Sequence, residues 1–175
     1  DFLENRTDKK TVDLCSGSGA IAVALDKISG AKVTAVEIDE TAFSYLETNV
    51  KENNSSVKPV MADALKICET FADGELDLIV SNPPYIKSAD IETLQKEVRL
   101  EPRLALDGGE DGYDFYREIV SRWSRKLKKG GALAFELGEG QADAVKALMT
   151  DKGFSDFKIS LDFGGVQRAI IGTLL

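Results

Sequence analysis

Short apolar runs alternate with amphipathic stretches along the chain, and polar or glycine-rich turns separate them. A short apolar run bounded by turn residues is typical of a buried strand, whereas apolar residues three and four positions apart are typical of a helix. The pattern predicts strands at residues 11–15, 32–38, 57–61, 76–81, 132–137, 157–161 and 169–174. It predicts helices at residues 20–28, 40–52, 113–127 and 141–152, with residues 1–10 as the polar tail of another helix. Gly30, Asn53-Asn54 and Gly130-Gly131 predict the ends of the first three helices.

Strands and helices alternate up to the fifth strand, which indicates an α/β fold that is doubly wound, with a mostly parallel sheet covered on both faces. The last two strands flank the Asp-Phe-Gly-Gly turn at residues 162–165 and predict a C-terminal antiparallel hairpin. Residues 86–112 are the least regular stretch, and an insertion of this kind is typical of a lid or a substrate loop. Parallel sheets bind ligands at the carboxyl ends of their strands, so we expect the functional groups at that edge.

The fourth predicted strand runs directly into Asn82, Pro83, Pro84 and Tyr85. Each proline fixes its own φ near about −65° and restricts the residue before it, so this loop loses little entropy when a substrate binds. Asn82 offers an amide acceptor and donor, and Tyr85 offers a flat stacking surface. We interpret these four residues as candidate catalytic residues. An ordinary Pro-Pro turn that carries a surface asparagine is the alternative.

The loop after the first predicted strand carries a nucleotide-binding pattern. Gly17, Gly19 and Ala22 form a G-x-G-x-x-A string, and Glu37 follows about 20 residues later, where a carboxylate can accept hydrogen bonds from ribose hydroxyls. This indicates a nucleoside cofactor without identifying it, because NAD-binding domains use the same arrangement. A plain strand-to-helix turn is the alternative here. For Asp13 and Asp63, which lie at or beside strand ends, the alternatives are helix caps or solvated turn residues.

Composition narrows the possible functions. The 175 residues are 43% hydrophobic and 30% charged, which fits one domain. The chain has 22 Lys and Arg against 30 Asp and Glu, and the net charge of −8 disfavours nucleic acid as a partner. No apolar run approaches the roughly 20 residues that span a bilayer and no signal peptide is recognisable, so we expect a cytoplasmic protein without a membrane segment.

The sequence lacks the side chains that several kinds of catalytic and metal site require. The sequence has no histidine, so Ser-His and Cys-His catalytic pairs are impossible. Its two cysteines, Cys15 and Cys68, are too few and too far apart to predict a disulfide scaffold or a metal site. We therefore expect a reaction that needs neither a metal ion nor a histidine base.

Several strings together resemble the S-adenosylmethionine-dependent class I methyltransferases that modify planar amino groups. These are residues 13–19 (Asp-Leu-Cys-Ser-Gly-Ser-Gly), residues 35–37 (Ala-Val-Glu), Asp63 and residues 82–85. Within that class, residues 101–112 (Glu-Pro-Arg-Leu-Ala-Leu-Asp-Gly-Gly-Glu-Asp-Gly) and residues 136–141 (Glu-Leu-Gly-Glu-Gly-Gln) resemble the HemK-like protein-(glutamine) methyltransferases. The resemblance covers essentially the whole chain and implies a seven-stranded Rossmann-like sheet with S-adenosylmethionine as the cofactor.

The resemblance also implies a substrate and residue roles. The implied substrate is the glutamine of the Gly-Gly-Gln loop in class 1 peptide chain release factors, and a ribosomal protein glutamine is the substrate of a sister group. The Asn82 side-chain oxygen and the Pro83 carbonyl would accept the two amide hydrogens, while Tyr85 packs on the amide and Pro84 holds the loop. The implied cofactor-binding residues are Asp13, Cys15, Ser16, Gly17, Ser18, Gly19, Glu37, Ile38, Asp63, Ala64 and Asn82.

The chain departs from this family at three points. Cys15 stands where many members have glycine, and Ala64 stands where some members carry a large aromatic residue against adenine. The family's amino-terminal helical domain is absent, so we expect residues 1–175 to be the catalytic domain of a longer protein.

Three other functions compete with this interpretation. An adenine amino methyltransferase on DNA or RNA also uses Asn-Pro-Pro-Tyr, although the acidic charge and residues 101–112 argue against it. A module that binds the cofactor without transferring methyl would not need residues 82–85. A dehydrogenase lacks a recognisable hydride-transfer acid or base in this sequence.

Overall fold

Seven strands and five helices make up the computed structural model, which describes residues 2–4 and 6–175. The strands are β1 (Lys10–Leu14), β2 (Lys32–Glu37), β3 (Lys58–Met61), β4 (Leu76–Ser81), β5 (Leu127–Glu136), β6 (Phe154–Leu161) and β7 (Gln167–Leu174). The helices are α1 (Ala20–Ser29), α2 (Glu40–Glu52), α3 (Arg103–Leu106), α4 (Asp114–Trp123) and α5 (Ala142–Thr150). Short 3-10 turns lie at Ile67–Thr70, Ile91–Thr93, Val98–Leu100 and Ser124–Lys126.

The strands form one sheet in the order β3-β2-β1-β4-β5-β7-β6. Strands β1 to β5 pair in parallel, and β7 pairs antiparallel with both β5 and β6. The strand order reverses direction between β1 and β4, and a crevice at such a switch point is where open α/β sheets bind ligands.

Helices cover both faces of this sheet. On one face, Ala22 of α1 and Leu46 of α2 are buried in a cluster with side chains from β2 and β4. On the other face, Tyr116 and Trp123 of α4 and Val145 of α5 are buried in a second cluster with side chains from β1, β4 and β5. A parallel sheet buried on both faces explains why its strands appear in the sequence as continuous apolar runs.

Polar contacts tie the carboxyl ends of β1, β2 and β4 together. The Ser81 hydroxyl donates to the Leu14 carbonyl at 2.8 Å, and the Ser16 N–H donates to the Val36 carbonyl at 3.0 Å. Ser16 Oγ also donates to the Asp13 carbonyl at 2.8 Å. These contacts fix the loop after β1 next to the loop after β4, which is where the candidate site residues lie.

The predicted doubly wound α/β fold with a C-terminal antiparallel hairpin is confirmed. The predicted boundary between the helix at 113–127 and the strand at 132–137 is wrong, since α4 and a 3-10 turn end at Lys126 and β5 begins at Leu127. Gly130, with φ of 71°, lies inside β5, where the pairing with β4 is irregular between Leu76 and Leu78. Gly130 and Gly131 therefore lie in an irregular strand and do not mark the end of a helix.

The predicted helical tail at residues 1–10 is also wrong, because residues 2–4 form a turn and Lys10 belongs to β1. Asp1 and Asn5 lie outside the described residues. The stretch at residues 86–112 contains α3 and two 3-10 turns and is otherwise irregular, as predicted. Among the described residues, none of the helices combines the length and the apolar character that a membrane crossing requires.

Candidate active site

A cavity of about 750 Å³ opens at the carboxyl ends of β1, β2 and β4. Its size is within the range of small-molecule and cofactor sites. Eleven of the fourteen different residues in the predicted site line this cavity: Cys15, Ser16, Gly17, Ser18, Glu37, Ile38, Asp63, Ala64, Asn82, Pro84 and Tyr85. The other three, Asp13, Gly19 and Pro83, are buried beside it. The fold therefore brings the two predicted groups, cofactor-binding and catalytic, to one place.

The loop after β1 reverses the chain sharply through left-handed backbone conformations. Cys15 has φ of 57° and Gly19 has φ of 82°, a region in which glycine is favoured over residues with a side chain. A glycine at position 15, as in the resembling family, would adopt this conformation without strain. Burial and the negative charge of Glu37 raise the pKa of the Cys15 thiol to about 12, so it is a neutral group and not a thiolate nucleophile.

Glu37, at the end of β2, holds the loops around the cavity. Its Oε2 accepts a hydrogen bond from the Gly17 N–H at 2.7 Å, and its Oε1 accepts from the N–H groups of Ile38 and Asp39, each at 2.8 Å. A carboxylate has about four lone-pair positions, so these three bonds leave capacity for one further donor. Because Glu37 also lines the cavity, that donor can belong to a ligand.

Asp13 is the buried acid beneath this loop. Its side chain is fully buried, and neither carboxylate oxygen has a hydrogen-bond partner among the described residues. Burial raises the pKa of Asp13 to about 7. An unpartnered buried carboxyl group is costly in a folded protein, and such groups concentrate at functional sites.

The third strand delivers Asp63 and Ala64 to the cavity wall. Asp63 Oδ1 accepts from the Leu65 N–H at 2.8 Å, and Oδ2 pairs with Lys66 Nζ at 2.9 Å. Burial alone would raise the pKa of Asp63, but the bonds from Lys66 and Leu65 outweigh it and lower that pKa below its usual value. The Trp123 indole N–H donates to the Ala64 carbonyl at 2.9 Å, so the core of the protein fixes this loop.

The Asn-Pro-Pro-Tyr loop (residues 82–85) follows β4. Asn82 is exposed to the cavity, and its side-chain amide makes no hydrogen bond with the described part of the chain. Pro83 and Pro84 are buried, and Tyr85 is half-buried. Burial and the nearby Glu136 raise the pKa of Tyr85, so its phenol is neutral. The loop thus presents an unpaired amide on a fixed backbone.

Further cavity-lining residues had no assigned role in the sequence prediction. They come from the irregular segment, from α4 and from β5: Glu101, Leu104, Phe115 and Glu136 are examples. Glu101 and Glu136 fell within the two strings that resemble the protein-(glutamine) methyltransferases, but only the fold shows that both face the same cavity as Asn82. Within residues 2–4 and 6–175, no cluster of three or more Asp, Glu or Cys side chains is arranged to hold a metal ion.

Comparison with known proteins agrees with this geometry. The family model described as "Methyltransferase small domain" matches residues 1–101. The release factor glutamine methyltransferase of Geobacter sulfurreducens is 43% identical over 165 residues, which cover 93% of this chain and 57% of the relative. The protein of the same name from Thermodesulfovibrio yellowstonii is 34% identical over 171 residues, which cover 97% of this chain and 61% of the relative.

Solved structures share the same fold at low sequence identity. A methyltransferase from Pyrococcus furiosus superposes with a TM-score of 0.73 at 24% identity, over 98% of this chain and 79% of its own. TrmN from Thermus thermophilus superposes with a TM-score of 0.67 at 20% identity, over 99% of this chain and 46% of its own.

The chain spans about 57–61% of the length of these two curated relatives. The family model covers more than half of the chain, from β1 through the loop after β4 that carries the candidate catalytic residues. From its first strand to its Asn-Pro-Pro-Tyr loop, this chain belongs to the methyltransferase small domain family.

Proposed function

We propose that this chain transfers a methyl group from S-adenosylmethionine to the side-chain amide nitrogen of a protein glutamine. The proposed substrate is the glutamine of the Gly-Gly-Gln loop in class 1 peptide chain release factors. The observation that carries the proposal is the exposed amide of Asn82, without a hydrogen-bond partner among the described residues, in the same cavity that Glu37 and the loop after β1 line.

The residues around Glu37 and the loop after β1 fit S-adenosylmethionine. Glu37 retains acceptor capacity for a ribose hydroxyl, and Asp63 is an ionised acceptor next to the small side chain of Ala64, which also lines the cavity. A side chain on Gly17 would extend into open space, so a ligand has room against this backbone. The unpartnered carboxyl of Asp13 lies directly beneath the same loop. When bound, S-adenosylmethionine supplies a methyl group on a positively charged sulfur, which is a good leaving group without a metal ion.

In the proposal, Asn82 makes the acceptor, a glutamine amide nitrogen, more reactive. An amide nitrogen is a poor nucleophile because its lone pair is delocalised into the carbonyl, the resonance that gives a peptide bond its rotation barrier of ~18–20 kcal/mol. We propose that the Asn82 side-chain oxygen and the Pro83 carbonyl accept the two amide hydrogens and so orient the lone pair toward the methyl group. The proton that the nitrogen then loses goes to solvent.

Tyr85 and the two prolines complete the acceptor site. In the proposal the Tyr85 ring packs on the planar amide, and its neutral phenol adds no charge next to the reacting nitrogen. The buried prolines keep the loop from moving, so the substrate meets a preorganised surface. Positioning of this kind supplies up to about 7–11 kcal/mol of a reaction barrier.

The identity of the protein substrate rests on the relatives. Two relatives at 43% and 34% identity carry the name release factor glutamine methyltransferase, and each match covers more than nine-tenths of this chain. The net charge of −8 supports a protein substrate over a nucleic acid, whose phosphates it would repel. We also propose that residues 1–175 act as one catalytic domain, which the single seven-stranded sheet supports.

Transfer of labelled methyl tests this proposal. The chain is incubated with S-adenosylmethionine carrying a radioactive methyl group and, in parallel, with a purified class 1 release factor, adenine-containing DNA and adenine-containing RNA. The proposal expects label in the release factor and none in either nucleic acid. Label in DNA or RNA would replace it with the adenine methyltransferase function, and label in no acceptor would contradict the proposal for this chain.

A further inference from the structure

We infer that Gln141 is a positioning residue that fixes the Asn-Pro-Pro-Tyr loop for methyl transfer, together with the Asp-Gly segment (residues 107–112). The inference rests on the proposed function, because the loop's role in catalysis belongs to that proposal. Gln141 lies just before α5, outside the cavity lining, and its contacts give it a function that its sequence position does not suggest.

The Gln141 side chain uses its whole hydrogen-bonding capacity inside the protein. Its Nε2 donates to the Tyr85 carbonyl at 3.1 Å and to the Gly112 carbonyl at 3.2 Å. Its Oε1 accepts from the Gly138 N–H at 2.9 Å and lies 3.1 Å from the Tyr116 hydroxyl, whose single proton it shares with the Glu136 carbonyl at 2.9 Å. One buried amide therefore joins the catalytic loop, the Asp-Gly segment, the end of β5 and helix α4. Buried amides with every group satisfied are rigid, because breaking any bond leaves an unpaired polar atom.

The Asp-Gly segment holds the same loop through its backbone. The Gly108 N–H donates to the Ile86 carbonyl at 2.8 Å, and the Leu106 carbonyl, just before the segment, accepts from the Ile86 N–H at 2.9 Å. The two backbones are in close contact, since a Cβ built on Gly108 would lie 2.7 Å from the Tyr85 Cα. A Cβ on Gly112 would lie 2.6 Å from the Tyr85 carbonyl oxygen, the atom that Gln141 binds.

These contacts locate Asn82 indirectly. The Asn82 amide makes no hydrogen bond of its own to the described chain, so its position depends on the backbone on either side of it. Before it, the Ser81 hydroxyl is bonded to the Leu14 carbonyl at 2.8 Å, which leaves the backbone after Asn82 as the part that other elements must hold. That backbone is fixed at Tyr85 by Gln141 and at Ile86 by the Asp-Gly segment. The NH2 group of Gln141 is the part that binds the loop, whereas its oxygen binds Gly138 and Tyr116. Loss of the NH2 donor alone should therefore loosen the loop.

Gln141→Glu tests this directly, because it replaces the NH2 donor by an acceptor opposite two carbonyl oxygens. Gln167→Glu, at an exposed position of β7, makes the same chemical change away from the site and serves as the control. Gln141→Met, which removes all four bonds without adding charge, is the second variant. Thermal unfolding selects the temperature at which every protein is folded. Hydrogen exchange of the peptide that spans residues 84–88 then reports on the loop without cofactor or substrate.

We expect exchange in residues 84–88 to rise by about tenfold in both Gln141 variants and to stay unchanged in Gln167→Glu. We expect kcat for release-factor methylation to fall by about 10–100-fold, with the Kd for S-adenosylhomocysteine within about twofold of the wild type. If both Gln141 variants keep wild-type exchange and kcat, the inference is wrong. If cofactor affinity falls as much as kcat, Gln141 has a general structural role and the inference is also wrong. A wild-type chain that methylates no release factor would contradict the proposed function, whereas the exchange result would still decide whether Gln141 holds the loop.

Discussion

Three side chains at the cavity, Asn82, Glu37 and Asp13, differ in how their polar atoms are satisfied. Glu37 is bound by three backbone N–H groups. Among residues 2–4 and 6–175, neither Asn82, which faces the cavity, nor the buried Asp13 has a hydrogen-bond partner for its side chain. Each condition gives a different expectation when the side chain is replaced. Replacing Asn82 should change the rate of methyl transfer, and replacing Glu37 should change the affinity for S-adenosylmethionine. Replacing Asp13 should change how the free energy of unfolding depends on pH.

Replacing Asn82 by alanine should lower the single-turnover rate of methyl transfer by about 10²–10³-fold, as the loss of one preorganised hydrogen-bonding group does in other enzymes. The affinity for S-adenosylmethionine should stay nearly unchanged, because no side-chain hydrogen bond joins Asn82 to the loop after β1 in the described part of the chain. Rapid-quench kinetics and calorimetry measure the two quantities. A rate within threefold of the wild type would remove Asn82 from the proposed mechanism.

Glu37→Ala should weaken S-adenosylmethionine binding by about 1–3 kcal/mol, the usual value of hydrogen bonds to a charged group. The change removes the proposed ribose acceptor and also releases the N–H groups of Gly17, Ile38 and Asp39. Glu40→Ala, at an exposed position in the first turn of α2, is the matched control. Equal affinity of Glu37→Ala and the control in calorimetry would place the ribose contact elsewhere.

Asp13→Asn should change how stability depends on pH. Burial raises the pKa of Asp13 from 3.8 to about 7, so between these values the native state holds a proton that the unfolded state has lost. Ionisation of Asp13 in the unfolded state therefore lowers the free energy of unfolding of the wild type. This decrease grows as pH rises from about 4 to about 7 and is constant above. The asparagine variant lacks this effect, so from about pH 5 to about pH 8 its stability should rise by roughly 2–3 kcal/mol relative to that of the wild type.

Urea unfolding of both proteins at the two pH values, without cofactor, measures this difference. The other carboxyl groups titrate alike in the two proteins, so their contributions cancel in the comparison. A difference that does not vary with pH would show that Asp13 is ionised in the folded protein.

At the scale of elements, the Asp-Gly segment and the Asn-Pro-Pro-Tyr loop are packed backbone against backbone. Gly108→Ala should therefore displace residues 84 and 85, because the new Cβ would lie 2.7 Å from the Tyr85 Cα and 3.0 Å from the Pro84 carbonyl oxygen. We expect a loss of about 1–3 kcal/mol in stability and a fall in turnover of tenfold or more. Gly164→Ala, in the exposed β6–β7 turn, is the control. Wild-type turnover in Gly108→Ala would show that the loop tolerates this displacement.

Most elements of the sheet could be predicted from periodicity, because parallel strands that are buried on both faces give continuous apolar runs. Strand β4 was predicted at its observed bounds, and the positions of α1 and α2 were indicated by glycine and asparagine turns. The prediction failed at β5, where Gly130 and Gly131 look like a helix stop but lie inside an irregular strand. A left-handed glycine has the same local signature in both settings, and only the pairing with β4 distinguishes them.

The candidate site could be predicted only in part. Groups that follow strand ends, such as Glu37 and Asn82, were expected at one edge because parallel strands deliver their carboxyl ends together. The contacts of Gln141 could not be predicted, since they join positions 56 and 29 residues away along the chain. The left-handed conformation of Cys15 was likewise not visible, because a cysteine gives no local signal for a positive φ.

For the whole molecule, sheet order and charge together define what the cavity can accept. Strands β1 and β4 are neighbours at the point where the strand order reverses, so the proposed cofactor-binding residues after β1 and the Asn-Pro-Pro-Tyr loop after β4 face a single cavity. The net charge of −8 gives no long-range attraction for phosphate backbones. Under the proposed function, we therefore expect a protein loop that presents a glutamine amide to be a better acceptor than a duplex whose base must be flipped out.

The central claim is tested most directly by locating the transferred methyl group. A class 1 release factor is incubated with S-adenosylmethionine and either the wild-type chain or Asn82→Ala, then digested, and the modified residue is identified by tandem mass spectrometry. We expect one added methyl group on the side-chain nitrogen of the Gly-Gly-Gln glutamine with the wild type, and a strongly reduced amount with Asn82→Ala. A methyl group on another residue, or equal modification by both proteins, would contradict the account.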